Sequence, residues 1–154
     1  SRYATEAGLV VCYGSMYGNT EQMAEAIAEG ASEQGVKKII MHDVMRVNHS
    51  YIIADVFRYN GLAVGAPTYN GALFPEMESL LGKLVCRDIK DHYLGYFGSF
   101  SWSGQVVKRI TEISERLKFE IVGTPVEMKY GVKPESLELC KALGRALADK
   151  ILGK

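Results

Sequence analysis

At 154 residues and 47% hydrophobic, the chain can bury one substantial core and is too short for two comfortable domains. Eighteen basic and eighteen acidic side chains cancel to a formal charge of zero, so no general field draws it to nucleic acid or to an anionic membrane. Three cysteines stand apart inside apolar segments, and an odd number makes no closed disulfide framework.

Buried, reduced thiols are therefore expected at Cys12, Cys86 and Cys140, in a cytoplasmic protein. Residues 1–7 carry no apolar signal core, and no window is apolar for long enough to span a bilayer. They are expected to be a linker or an expression remnant in front of a single domain, the chain being read as 1–154 throughout. The missing initiator methionine fits processing, such a remnant, or excision from something longer.

The first element, Gly8 to Tyr13, has the near-continuous hydrophobicity of a strand buried on both faces. Met23, Ile27 and Ala31 then recur at helical spacing. Between them lies Ser15-Met16-Tyr17-Gly18-Asn19-Thr20, a small, hydroxyl-rich loop at a helix N-terminus. Unpaired N–H groups and the positive end of the helix dipole suit an anion there, and Ser15, Asn19 and Thr20 can bond phosphate oxygens. Asn19 with Gln22 also has the spacing of a helix cap, which is compatible with that role.

Val36 to Met41 reads as a second strand whose Lys37 and Lys38 suit a sheet edge. A short helix from Asn48 or Ser50 places Ile52, Ile53, Val56 and Phe57 on one face. Gly61 to Ala66 is a third, central strand. It ends in Pro67-Thr68-Tyr69-Asn70-Gly71, with Asn-Gly turn chemistry. Pro75 opens a helix with Met77, Leu80, Leu81 and Leu84 as its core stripe.

Tyr93 to Gly98 is the fourth strand, followed by Ser99-Phe100-Ser101-Trp102-Ser103-Gly104. Val106, Ile110, Ile113 and Leu117 mark the next helix. A fifth strand between Phe119 and Lys129 is demoted to an edge by Gly123 and Pro125. A last helix starts at Pro134, with Leu137, Cys140, Leu143, Leu147 and Ile151 inward.

This alternation implies an α/β fold, a doubly wound five-stranded parallel sheet of order 2-1-3-4-5 with helices on both faces. Ligands bind outside the carboxyl ends of such strands, where the strand order reverses. The three special loops all follow those ends, so they converge on one site. A ligand with a phosphate at one end and a flat ring at the other would use all three: the first loop for the phosphate, Tyr69 and Trp102 flanking the ring. Taken alone, Trp102 is as readily a core tryptophan, and Tyr69 a surface turn residue.

The fold and the Ser15 to Thr20 loop resemble flavodoxin, which binds flavin mononucleotide (FMN). The wording of 66–75 and 97–104 resembles the C-terminal flavodoxin domain of flavodiiron proteins, or A-type flavoproteins, from about Leu9 to the end of the chain. The resemblance implies that Ser15, Met16, Tyr17, Gly18, Asn19 and Thr20 bind the flavin phosphate. Pro67, Thr68, Tyr69, Asn70 and Gly71 would line one side of the ring, and Ser99, Phe100, Ser101, Trp102, Ser103 and Gly104 the other. A carbonyl near Asn70 would accept a hydrogen bond from reduced N5 and help set the potential.

It further implies an electron-transfer domain fed by a rubredoxin-like or flavin reductase donor. The acceptor is a diiron centre in a domain absent from this chain, reached across a head-to-tail homodimer. No side chain is nominated as acid, base, nucleophile or metal ligand, and little turnover is expected from the chain alone. His42, His49 and His92 are scattered and expected to be solvated. The neutral charge departs from the acidity of free-standing flavodoxins. The alternatives are a stand-alone flavodoxin or a small flavin-dependent NAD(P)H:quinone reductase, although no Gly-x-Gly-x-x-Gly is present for a second nucleotide.

Overall fold

The computed structural model describes residues 5–14, 19–65, 68–69, 72–73, 75–87, 92–98, 112–123, 126–127 and 133–154. Strand β1 (Glu6–Tyr13) leads into helix α1 (Asn19–Glu33), followed by β2 (Ile39–Asp43), α2 (His49–Arg58) and β3 (Tyr59–Gly65). Two short strands, β4 (Thr68–Tyr69) and β5 (Ala72–Leu73), precede α3 (Pro75–Cys86) and β6 (Tyr93–Gly98). Helical residues 112–117 form the described part of α4. After them come β7 (Glu120–Ile121), β8 (Val126–Glu127) and α5 (Pro134–Ile151).

The main sheet runs β2-β1-β3-β6-β7 with β8 also paired to β6, and its pairings are parallel. Since β7 and β8 are two pieces of one sheet position, this is the expected 2-1-3-4-5 order. Gly123, at φ 68, falls between the two pieces. A positive φ is incompatible with ladder geometry, so the fifth position breaks there.

Alternate residues of β1 serve opposite faces, as strand geometry dictates. Val10 and Cys12 join Leu62, Val64, Leu94 and Tyr96 beneath α2, α3 and α4. Leu9 and Val11 join Ala63 and Phe97 beneath α1 and α5. Leu9 to Cys12 are wholly buried, which is why the segment is apolar without interruption. On α3, Met77, Leu80, Leu81 and Leu84 are likewise wholly buried, each contributing roughly 1.5–3 kcal/mol.

The parallel helices α1 and α5 meet backbone to backbone. A Cβ at Gly30 would run into the Lys141 carbonyl, and one at Gly144 into the Ile27 carbonyl. Lys141 to Glu29 (3.2 Å) and Gln34 to Asp149 (2.7 Å) flank the crossing. Helix α2 starts where the sequence places it, and Asn48 caps it, its side chain accepting from the Ser50 amide at 2.9 Å.

Besides the start of β2, which is Ile39 rather than Val36, three expectations are corrected. Phe57 is 49% exposed, because α2 turns Ile52, Ile53 and Val56 inward and leaves Phe57 at the margin of that stripe. Cys86 is exposed, at the last residue of α3, whereas Cys12 and Cys140 are buried. The histidines are not freely solvated. Buried His92 donates from Nε2 to the Val56 carbonyl (2.6 Å) and stacks on Phe119. His42 is paired through Nε2 with Asp55 (2.7 Å), and His49 accepts at Nδ1 from Lys83 (2.9 Å).

Candidate functional site at the carboxyl edge of the sheet

The register of the three inner strands fixes where their loops begin. Cys12 pairs with Val64, and Val64 with Tyr96. Gly65 pairs in turn with Phe97, so β1, β3 and β6 end on one line across the sheet. Neighbouring strands lie about 4.8 Å apart, so the ends of β1 and β6 are separated by roughly 10 Å with β3 between them. The loops that follow these three strands are those singled out in the sequence.

Gly14 and Thr20 bracket the first loop. Thr20, wholly buried, donates its hydroxyl proton to the Gly14 carbonyl at 3.0 Å, six positions back. Asn19 opens α1, and the first amides of a helix have no partner within it. The described flanks therefore bring a buried clamp and the donor end of a helix dipole to one place. Ser15, Met16, Tyr17 and Gly18 lie outside the described residues.

The second loop is the β4–β5 hairpin. Thr68 faces Leu73 and Tyr69 faces Ala72 in an antiparallel pair, which leaves Asn70 and Gly71 as its connection. A two-residue connection of Asn-Gly is the preferred chemistry for a tight hairpin. The residue types announce the turn but not the strands beside it. Pro67, Asn70 and Gly71 lie outside the described residues, and of Thr68 and Tyr69 the backbone alone is described. At the root of this loop Gly65 must stay small, since a Cβ would sit 3.1 Å from the Phe97 ring and 3.3 Å from the Cys12 carbonyl.

The third loop leaves β6 at Gly98, whose φ of 141° is a backbone state that side-chain-bearing residues rarely adopt. Ser99, Phe100, Ser101, Trp102, Ser103 and Gly104 lie outside the described residues. Where the chain is described again, Ser114 of α4 bonds the Tyr96 hydroxyl.

A feature that sequence reasoning missed is the acidic flank of this edge. Tyr13, at the end of β1, has its phenol pKa raised by partial burial and by Glu21, Asp43 and Glu25, with Arg46 opposing. Asp43 pairs with Tyr13 in register, bonds the Met45 amide (3.1 Å) and holds Arg46 (3.4 Å). The signal was Asp43 closing an edge strand beside the first loop. Among the described residues, no group of histidine, cysteine and carboxylate side chains could hold a metal ion. No described helix is long and apolar enough to cross a membrane.

A doubly wound parallel sheet of this strand order, with its specialised loops at one carboxyl edge, is an α/β domain of the flavodoxin type. Residues 11–144 match the family model described as Flavodoxin, and the chain belongs to the flavodoxin family. The type A flavoprotein of Rhodobacter capsulatus is 30% identical over 158 residues, covering 100% of this chain and 36% of that protein. The anaerobic nitric oxide reductase flavorubredoxin of Escherichia coli is 30% identical over 144 residues, covering 93% of this chain and 30% of that protein. The structure of rubredoxin oxygen:oxidoreductase from Desulfovibrio gigas superposes with a TM-score of 0.89 at 26% identity, over 99% of this chain and 38% of that one. This is a flavodoxin-like, flavin-binding domain related to flavodiiron proteins. It spans between 30% and 38% of the length of these relatives.

Proposed function

We propose that the chain binds FMN across the ends of β1, β3 and β6 and relays electrons from a protein donor to a metal centre on another domain. The observation that carries this reading is the shared register of those strand ends, which starts three loops of matching chemistry within roughly 10 Å. Residues 15–20 would hold the phosphate with backbone amides and hydroxyls, since the loop has no lysine or arginine. Residues 67–71 and 99–104 would enclose the ring, with Tyr69 and Trp102 against it. Three features support the fit of that group: amides at the start of α1, an Asn-Gly sequence between β4 and β5, and a glycine at positive φ before the tryptophan loop.

When bound, the isoalloxazine supplies the redox chemistry, and the protein supplies orientation, tuning and water exclusion. The donor is a rubredoxin-like protein or a flavin reductase. The acceptor is a diiron centre, in keeping with relatives named for nitric oxide and oxygen reduction. The domain works in the cytoplasm, and the diiron centre belongs to the partner in a homodimer.

The test is an absorption spectrum of the purified protein before and after adding FMN, repeated with Trp102→Ala. Micromolar or tighter binding is expected, weakened by about 1 kcal/mol or more without the indole. A folded protein that stays colourless at micromolar FMN overturns the reading. So does oxygen or nitric oxide turnover by this chain without added diiron protein, as far as the relay is concerned. Rapid flavin reduction by NADPH alone would instead make the chain a quinone-reductase-like enzyme.

A further inference from the structure

The foot of the third loop is tied by a bond that packing alone does not require. The Tyr96 hydroxyl and Ser114 Oγ lie 2.7 Å apart, joining β6 to α4. Tyr96 is 2% exposed and lies two residues before Gly98, where the strand ends. Ser114 follows Ile113 and precedes Leu117, which are buried on the same side of the sheet as Tyr96. Residues 99–111 leave the sheet just after one bonding partner and rejoin the described chain just before the other. The bond therefore adds a directional tie, beyond the packing of Ile113 and Leu117, between Gly98 at the end of β6 and the described start of α4.

A phenol taken into a core costs free energy unless its hydroxyl finds a partner. Phenylalanine would fill the same space without that cost, as Phe97 does on the opposite face. Burial pushes the Tyr96 phenol up to about 12, with the Ser114 bond opposing, so the hydroxyl keeps its proton at neutral pH. The tie does not switch off within the ordinary pH range.

We propose that Tyr96 is a positioning residue for the flavin: through Ser114 it holds the end of β6, from which the third loop departs, against α4, and full FMN affinity depends on that bond. The inference rests on the FMN reading above. Without the bond, only a fraction of molecules hold the end of β6 and α4 in the binding arrangement, and apparent affinity falls by that fraction. A bond of ordinary net strength corresponds to a factor of roughly five.

The experiment compares FMN dissociation constants and visible circular dichroism of the bound flavin for wild type, Tyr96→Phe, Ser114→Ala and the double variant. Ile151→Val, in the core cluster on the other face of the sheet, serves as a stability control. Melting temperatures of the free proteins are recorded alongside. Roughly five-fold weaker binding is expected in Tyr96→Phe and at least as much in Ser114→Ala, with the double variant no weaker than Ser114→Ala and an altered dichroic band at saturation. The control is expected to lower the melting temperature alone. Affinities within two-fold of wild type, with melting lowered as in the control, overturn the role of Tyr96 and leave the FMN reading intact. Absence of FMN binding by the wild type overturns both. Should Tyr96→Phe fail to fold, Ser114→Ala decides by the same criteria.

Discussion

The hydroxyl of Thr20 and the carbonyl of Gly14 meet at 3.0 Å, so the first turn of α1 is tied back to the end of β1. Threonine has a single hydroxyl proton, and here Gly14 takes it. A phosphate oxygen also needs a donor, so Thr20 can serve one directly only by releasing Gly14. Thr20→Val leaves a buried carbonyl unpaired and is expected to cost the free protein about 1–3 kcal/mol, read by urea denaturation. Thr20→Ser should restore most of it. Titration with FMN and with riboflavin separates the two roles. A loss confined to FMN means contact with the phosphate, and an equal loss for both means that Thr20 shapes the loop.

The crossing of α1 and α5 tolerates no side chain at its centre. Gly144→Ala would drive a Cβ into the Ile27 carbonyl, a backbone atom that cannot step aside. We expect a loss of about 3 kcal/mol, at the upper end for an overpacked core, measured by urea denaturation. Gly82 on α3 is the counter-case, with no neighbouring atom within 4 Å of the place a methyl group would take. Gly82→Ala should stabilise the protein by about 0.4–1 kcal/mol, since the helical backbone is kept and the unfolded chain loses freedom.

The cysteines should react in two classes. Burial pushes the Cys12 and Cys140 thiols up to about 12, with Asp55 adding to the shift at Cys12. Cys86 is exposed. Alkylation of the native protein at neutral pH is expected to label Cys86 within minutes and to spare the other two until denaturant is added. Peptide mass mapping that finds Cys12 labelled at the same rate would refute the buried arrangement.

Mild acid should loosen the join between α2 and α3. Partial burial, and then the Lys83 ammonium beside it, lower the pKa of His49, with Glu76 acting against them. Below the ordinary histidine pKa of about 6.5, the unfolded chain binds a proton that the folded one resists. Stability from this residue is therefore complete above that value and is lost as pH falls toward the folded pKa. His49→Asn should flatten this part of the stability profile between about pH 5 and 7 relative to wild type, in parallel denaturation series.

Much of the architecture could be read from residue order alone, for physical reasons. The run from Leu9 to Cys12 is apolar because both faces of β1 are covered, and Met77, Leu80, Leu81 and Leu84 are spaced for one buried stripe. What was misread depended on margins and partners. Phe57 follows the same periodicity as its buried neighbours but sits at the rim of a helix running only from His49 to Arg58. The β2 strand begins at Ile39, after both lysines, because pairing with Leu9 starts there. His92 looked solvated because nothing local announces its distant acceptor, the Val56 carbonyl. For the site, the strand ends and Gly98 are described, while most of the residues expected to meet a ligand lie outside the described residues.

The inner strands carry one more consequence. Leu62 and Ala63 of β3 are completely buried, and β3 lies between β1 and β6. Their amides can meet solvent deuterium only when the whole sheet opens. A ligand held at 100 times its dissociation constant raises the cost of that opening by about 2.7 kcal/mol through mass action. The amides of Leu62 and Ala63 should then exchange about 100-fold more slowly, which makes the middle of β3 a reporter of occupancy at the sheet edge.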